Sequence, residues 1–442
     1  MPAPRSSAAS GNLEPCVRSG RLVSEQWGQR ALEVNAPMGP GRGAITPSLV
    51  YEHACGSNVY DVDGNRYVDL AAGFGALLLG HCHPELTEVV REQAGKLTQA
   101  LGDVFPSREK ISFQEALGRQ LAPKRQQVIL GQSGADAITA ALKTAALATG
   151  KPGVVAFSGA YHGLSYGPLA LCNLRESYRL PFSDQLNPHV RVIPYPSNGE
   201  EGAAALEQVA KAFAKGDVGA IVIEPLLGRG GCVVPPEGFL SDLVQMAHEK
   251  GVLSVFDEIW TGLGRSGSFL MARTLGIEPD LICLGKGLGG GLPLSACIGS
   301  SDVMKAWKRD DEVVHTSTFA GTPLAASVAS QLLTILERDA FAERALKLGE
   351  SWMQSLRQRL SSIPLVKDVR GRGLMIGIDL GPRPGIAWTA TQRLLSEGWI
   401  ASTGGGAREV LVLTPPLNIA DALLRAATEA LHRTLSEIDA PC

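Results

Sequence analysis

Short apolar segments alternate with helical segments along the central part of the chain, and this alternation constrains the fold more than any other feature. A helix predicted from about residue 108 to Leu121 precedes the strand QQVILGQ, and a helix predicted from Ala135 to Thr149 precedes the strand GVVAFSG. Further along, GAIVIEP, VLSVFDE and LICLG read as strands, with the helix FLSDLVQMAHEKG between the first two. Apolar strands separated by helices indicate a parallel sheet that is covered on both faces. The central block is therefore predicted to be α/β.

The pattern differs toward both ends of the chain. The segment SNVYDVDGNRYVDL alternates on either side of DVDGN, which predicts a β-hairpin with Asp63 and Gly64 at its tip. After about residue 325 the periodicity predicts one long amphipathic helix over residues 324 to 361, then the strand GLMIGIDL, the helix WTATQRLLSEG, the strand EVLVLTPP and a final helix from Ala420. These segments indicate a smaller α+β domain.

Composition and charge argue against several classes of partner. The 442 residues carry a net charge of −3 and are 45% hydrophobic, which is typical of a soluble protein and gives no electrostatic footprint for nucleic acid or an anionic membrane. No apolar run approaches the roughly 18 residues of a membrane-spanning helix. The segment MPAPRSSAASGNLEP lacks the apolar region of a secretory signal. We predict that it is a mobile arm, with a transit peptide as the alternative, and that the protein is cytoplasmic.

Cysteine and histidine spacing gives no sign of a metal site. The cysteines stand at positions 16, 55, 82, 172, 232, 283, 297 and 442, with no close pair of zinc-site spacing. His81 and His83 lie beside Pro84, where a loop role is favoured over metal ligation. We expect reduced cysteine thiols and no bound metal.

A glycine-rich segment, LICLGKGLGGGLPLSACI, places Lys286 directly after a predicted strand. Gly285, Gly287 and Gly290 match the spacing G-x-G-x-x-G, but a dinucleotide-binding loop must open a helix. Pro293 and the segment LSACIGS favour another short strand instead. A Walker loop is also excluded, because Gly287 stands where Ser or Thr is required. The glycines are therefore expected to leave room around Lys286.

Other polar residues follow the predicted strands, and the carboxyl ends of parallel strands meet at one edge of a sheet. Small residues after VIL begin a helix, whose free N–H groups suit a phosphate; an ordinary cap by Ser133 is the alternative. A carboxylate at the end of VLSVFD would be buried and needs a cationic partner, and a structural ion pair is the alternative there. The residues collected in this way are Ser133, Gly134, Ala135, Tyr161, His162, Glu224, Asp257 and Lys286.

This set contains the parts that pyridoxal phosphate requires. A lysine in an apolar pocket has a lowered pKa and a more nucleophilic amine, which can form a Schiff base. A buried aspartate can hold the pyridine nitrogen protonated, an aromatic ring can stack on the pyridine, and a helix N-terminus can bind the phosphate. The sequence therefore predicts a site for this cofactor.

The same segments resemble the class III aminotransferases, which have fold type I of the pyridoxal phosphate enzymes. The resemblance covers about residues 40 to 435. It rests on the motifs VYDVDGNRYVDLAAG with GHCHPEL, SGAYHG, VFDEIWTGLGRSGSFL, PDLICLGKGLGGGLPLSA, HTSTFAGTPLAA and VRGRGLMIGIDL. It implies a large α/β domain over residues 76–330 with a mostly parallel seven-stranded sheet. The small domain would combine the N-terminal arm and hairpin of residues 1–75 with residues 331–442.

The resemblance also implies roles for individual residues. Lys286 would bind the cofactor covalently and then act as the base, Asp257 would pair with the pyridine nitrogen, and Tyr161 would stack on the ring. Thr318 would reach the phosphate of the other subunit, so a homodimer with shared active sites is expected. The full set of expected cofactor-binding residues is Ser133, Gly134, Ala135, Tyr161, His162, Glu224, Asp257, Ile259, Lys286 and Thr318.

The chain departs from the family pattern where substrates bind. Ala135 replaces a usual Ser or Thr, and Trp260 replaces a commoner Gln or smaller residue. Many members carry Glu in the position of Arg229 and a carboxylate-binding Arg in the position of Val412. Arg229 is either a relocated carboxylate clamp or a solvated loop charge, and Arg408 in GGGARE is a second candidate clamp. The residues expected to contact substrate are Phe74, Arg229, Trp260 and Arg408.

Three functions are compatible with these residues. The first is a ping-pong aminotransferase that moves an amino group from a primary amine or amino acid, including ω-amines, to a keto acid, aldehyde or ketone. The second is an amino-acid or lactam racemase on the same scaffold, which is compatible with Val412. The third is a non-catalytic binding protein, which is disfavoured because each cofactor-facing residue type is present.

Overall fold

The computed structural model describes residues 11–18, 20–36, 49–121, 126–309 and 312–439. Residues 1–10 of the predicted mobile arm lie outside this range. The helices are α1 (Leu22–Val34), α2 (Ala72–Gly75), α3 (Pro84–Ala94), α4 (Arg108–Gln120), α5 (Gly134–Thr149), α6 (Tyr166–Leu171), α7 (Gly199–Phe213), α8 (Phe239–Glu249), α9 (Met271–Thr274), α10 (Ser301–Met304), α11 (Pro323–Arg338), α12 (Phe341–Leu360), α13 (Ile386–Ser396) and α14 (Asp421–Asp439).

The strands form three sheets. They are β1 (Tyr51–Cys55), β2 (Asn58–Asp61), β3 (Arg66–Asp69), β4 (Gln126–Gly131), β5 (Gly153–Phe157), β6 (Val190–Ile193), β7 (Val218–Ile223), β8 (Leu253–Asp257), β9 (Leu281–Leu284), β10 (Ser295–Ser300), β11 (Asp368–Arg372), β12 (Met375–Asp379), β13 (Trp399–Ile400), β14 (Ser402–Gly404) and β15 (Val410–Leu413).

The central sheet has seven strands in the order β4-β10-β9-β8-β7-β5-β6. β10 runs antiparallel to both of its neighbours, and the other pairs are parallel. Every residue of β5 and β7 is buried, because helices cover both faces of the sheet. The predicted α/β fold with a mostly parallel seven-stranded sheet is therefore confirmed.

Two four-stranded sheets complete the structure. β1, β2 and β3 form the predicted hairpin region, and β3 pairs in parallel with β13 through Val68 and Asp69. The other sheet has the order β11-β12-β15-β14 and is antiparallel. The segment before the large sheet is thus joined by hydrogen bonds to the segment that follows it.

The prediction of one long helix over residues 324 to 361 is wrong. The chain forms α11 and α12, separated at Asp339 and Ala340. Ala340 has a φ of 49°, in the left-handed region, so the helical hydrogen-bond pattern cannot continue through it. The break lets α11 pack on α3 and α4 while α12 packs on α14 and β11.

None of the helices in the described segments combines the length and the apolar character that crossing a membrane requires.

Candidate active site

A cavity of about 480 Å³ lies beyond the carboxyl ends of the central strands. Its volume falls within the range of small-molecule sites. Parallel strands bring the residues that follow them to the same edge of the sheet. The residues expected from the sequence that line it are Ser133, Gly134, Ala135, Tyr161, His162, Glu224, Arg229, Asp257, Ile259, Trp260 and Lys286.

The first turn of α5 forms one wall of the cavity. The Ser133 hydroxyl accepts a hydrogen bond from the Asp136 N–H, and the Asp136 carboxylate accepts one from the Ser133 N–H. The helix cap by Ser133, which was one of the two alternatives predicted from the sequence, is therefore present. Ile259 packs closely here, since a Cβ on Gly134 would lie 2.9 Å from Ile259 Cδ1. N–H groups in the first turn of a helix have no intrahelical acceptor and lie at the positive end of its dipole. This wall can therefore bind a phosphate.

A buried pair, Asp257 and His162, forms the floor. Asp257 ends β8 and is 4% exposed. Its Oδ2 lies 2.6 Å from His162 Nδ1, and its Oδ1 accepts a hydrogen bond from the Ile259 N–H. Burial lowers the pKa of the His162 imidazole, but the hydrogen bond to Asp257 and its charge outweigh burial, so the net pKa is raised. The partner that a buried carboxylate requires is thus a histidine.

Lys286 follows β9 and enters the cavity from a single 3₁₀ turn, Lys286–Gly289. No α-helix begins there, and β10 follows as the sequence predicted. The lysine has a φ of 44°, and its Nζ lies 4.5 Å from the centroid of the Trp260 ring. Burial lowers the pKa of the Lys286 ammonium from 10.5 to about 8. A substantial fraction of this amine is therefore neutral near physiological pH.

A tight loop after β7 carries Glu224 and Arg229. The Glu224 carboxylate accepts hydrogen bonds from the backbone N–H groups of Tyr161 and Gly228, and burial raises its pKa. The Arg229 guanidinium lies over the Tyr161 ring, 4.3 Å from its centroid. Burial also raises the pKa of the Tyr161 hydroxyl. Glu224 thus fixes both the tyrosine and the arginine loop.

Trp260 is held between two glycines. A Cβ on Gly75 would lie 2.2 Å from Trp260 Nε1, and a Cβ on Gly228 would lie 2.6 Å from Trp260 Cε3. Val412, in the position of the arginine that many family members carry, is buried with Trp260 in an apolar cluster. The indole therefore fits only because both neighbours lack side chains.

The remaining expected residues do not line this cavity. Phe74 is 68% exposed on α2, Thr318 is exposed, and Arg408 lies outside the lining. Sequence reasoning missed Gly163, Leu164 and Ser165, which do line the cavity. Their position directly after GAYH is the signal that could have identified them.

The lining as a whole fits pyridoxal phosphate. A lysine of lowered pKa, a buried carboxylate, an aromatic ring and a helix N-terminus all face one cavity. Gly163 is a close approach in the same wall, because a Cβ there would lie 2.8 Å from the Cβ of Ala135. Because Gly163 has no side chain, the space beside the α5 N-terminus stays open, and a bound phosphate would need that space.

Comparison with known proteins agrees with this geometry. The model of the family "Aminotransferase class-III" matches residues 41–435. The chain belongs to the class III aminotransferases. As a member of that family it is a pyridoxal phosphate-dependent aminotransferase.

Relatives of this class III aminotransferase match over nearly their whole length. A 4-aminobutyrate aminotransferase of Mycobacterium leprae is 32% identical over 449 residues, covering 95% of this chain and 99% of the relative. An alanine/serine racemase of Pyrococcus horikoshii is 30% identical over 444 residues, covering 94% and 93%. The solved ornithine aminotransferase from Toxoplasma gondii superposes with a TM-score of 0.83 at 28% identity, covering 95% of this chain and 96% of that one.

Proposed function

We propose that this enzyme transfers the amino group of a primary amine or amino acid, including ω-amines, to a keto acid, aldehyde or ketone in two half-reactions. The observation that carries the proposal is the grouping of Lys286, the His162–Asp257 pair and the first turn of α5 around one cavity. These groups come from separate strand ends, and structural packing alone gives no reason to aim all of them into an open space.

The cofactor would be held by three parts of the wall. The N–H groups of Gly134 and Ala135 would bind its phosphate, Tyr161 would stack on its ring, and Asp257 would pair with its ring nitrogen. His162 holds Asp257 through the 2.6 Å contact and so keeps the carboxylate oriented. Bound there, pyridoxal phosphate would take up the amino group and spread the negative charge that develops at the donor Cα.

Lys286 would supply the proton transfer. Its pKa of about 8 lets Nζ both accept and release a proton near neutral pH, which is what a general base requires. The Trp260 ring beside Nζ limits where the amine can move. We infer that Lys286 takes the proton from the donor Cα.

We propose that the active enzyme is a homodimer with shared sites. Thr318 lies outside the cavity of its own chain, and its carbonyl accepts a hydrogen bond from Gln99 Nε2. Three apolar side chains near these two segments, those of Val104, Phe105 and Phe319, are more than half exposed. An apolar surface of this kind favours burial against a second copy, and Thr318 would complete the phosphate site of that copy.

We further propose the domain division 1–75, 76–330 and 331–442, with the first and last parts forming the small domain. The pairing of β3 with β13 supports it. We also propose a cytoplasmic location, which the free, buried thiols of Cys172, Cys232, Cys283 and Cys297 support.

A panel of donors tests the proposed reaction. The enzyme with bound cofactor is mixed with 4-aminobutyrate, acetylornithine, 5-aminovalerate, ornithine or alanine without an acceptor, and the visible absorbance is followed. At least one donor should convert the spectrum to that of pyridoxamine phosphate and release a carbonyl product, and Lys286→Ala should not respond. Loss of α-deuterium from an amino acid with no spectral conversion by any donor would contradict transamination.

Racemisation is the second candidate. It is favoured by the racemase relative and by Val412, which puts an apolar side chain where many members have an arginine. Chiral chromatography of alanine and serine incubated with enzyme, without a keto acid, distinguishes the two reactions. Retained configuration would exclude the racemase.

A further inference from the structure

The acidic groups of the cavity already have partners. Asp257 binds His162 and the Ile259 N–H, while Glu224 accepts hydrogen bonds from Tyr161 and Gly228. Neither carboxylate is within ion-pairing distance of Arg229. The two carboxylates of the lining thus accept hydrogen bonds from groups other than Arg229.

Arg229 faces the same space, and its side chain hydrogen-bonds to the neutral Tyr161 hydroxyl. It lines the cavity and is only partly buried, and among the described residues no carboxylate forms an ion pair with its guanidinium. The stacking on Tyr161 fixes the guanidinium over the ring by a cation–π contact, and a stacked guanidinium keeps its edge N–H groups available.

The backbone around Arg229 is held at several points. The Gly228 N–H donates to Glu224, the Arg229 carbonyl accepts a hydrogen bond from the Gly405 N–H at 2.8 Å, and Leu227 and Val233 exchange backbone hydrogen bonds across the loop. These bonds hold the loop backbone, and the contact with the Tyr161 ring holds the guanidinium. A fixed guanidinium in a cavity wall is suited to binding a planar anion through two parallel hydrogen bonds.

We propose that Arg229 binds the carboxylate of the substrate, so that the substrates of this enzyme are carboxylate-bearing amines and the corresponding oxo acids. The inference rests on the proposed function in placing the reaction in this cavity. Among the described residues that line the cavity, Arg229 and Lys286 are the only lysine or arginine side chains, so Arg229 serves both the donor and the acceptor carboxylate. The enzyme therefore discriminates against simple alkylamines.

Matched donors test the inference. L-alanine is compared with isopropylamine, and 4-aminobutyrate with butylamine, so that a methyl group replaces the carboxylate in each pair. The proteins are wild type, Arg229→Gln, Arg229→Lys and the surface control Arg433→Gln, whose native side chain is 57% exposed. Arg229→Gln should raise KM for the carboxylate member of each reactive pair roughly 10- to 100-fold, with little change for the alkylamine. The KM of Arg229→Lys for the carboxylate donors should lie between those of wild type and Arg229→Gln, because lysine keeps the charge but lacks the planar guanidinium.

A binding measurement separates this inference from the reaction itself. Unreactive propionate and glutarate are titrated into the enzyme with bound cofactor, and the change in visible absorbance gives Kd. Weaker binding to Arg229→Gln with unchanged cofactor affinity supports the inference even if no donor reacts. Equal carboxylate affinity in wild type and Arg229→Gln would overturn it, as would equal losses for both members of a donor pair. A matching loss of cofactor affinity would instead assign Arg229 to the cofactor phosphate and also overturn it.

Discussion

Replacing Lys286 with Met should stabilise the apoenzyme at neutral pH. Burial lowers the pKa of the Lys286 ammonium from 10.5 to about 8. Because one pKa unit corresponds to about 1.4 kcal/mol, the charged lysine lowers the free energy of unfolding by about 3 kcal/mol. Met keeps an unbranched side chain at the φ of 44°, so the substitution removes the charge without adding backbone strain.

The pH dependence follows from the direction of the shift. Between about pH 8 and pH 10.5 the unfolded chain binds more protons at this lysine than the folded protein, so the stability of wild type rises with pH across that window. The advantage of Lys286→Met should therefore decrease from about 3 kcal/mol at pH 7 to about 1.5 kcal/mol at pH 9.5.

Urea unfolding of the apoenzyme at both pH values measures this difference. Lys305→Met serves as the control, because the Lys305 side chain is 74% exposed and its removal should not change stability. A Lys286→Met variant that is no more stable than wild type at pH 7, or whose advantage is the same at both pH values, would refute the reasoning.

Two further substitutions test neighbouring parts of the site. His162→Phe removes the hydrogen bond to Asp257 and should weaken cofactor binding roughly 10- to 100-fold. Fluorescence titration of the cofactor measures this loss, which should be smaller in His162→Asn. Equal cofactor affinities of wild type and His162→Phe would count against the pairing. Gly228→Ala places a methyl group 2.6 Å from Trp260 and should destabilise the protein by about 1–3 kcal/mol in urea unfolding. The control Gly199→Ala meets no atom within 4 Å and should not destabilise the protein. Equal stability of the two variants would contradict the packing.

Local patterns in the sequence predict much of the fold. The apolar runs that became β5, β7 and β8 could be identified because strands buried on both faces need no polar positions. The break between α11 and α12 could not be predicted, since neither Gly nor Pro marks Asp339 and Ala340. It is set by the different surfaces on which the two helices pack, which are tertiary contacts.

The sequence predicts which residues form the candidate site better than it predicts which of them contact one another. Strand ends identify Glu224, Asp257 and Lys286, because parallel strands bring their carboxyl ends to one edge. That His162 contacts Asp257, 95 positions away in the chain, depends on the order of strands in the sheet. The stacking of Arg229 on Tyr161 likewise joins two loops whose side-chain directions no sequence pattern specifies.

Covalent trapping of the cofactor tests the central role of Lys286 most directly. The enzyme with bound pyridoxal phosphate is reduced with borohydride, digested and mapped by mass spectrometry. The modification should lie on Lys286 and be absent from Lys286→Met. Attachment to a different lysine, or no attachment in the wild-type enzyme, would contradict the assignment of this cavity as the active site.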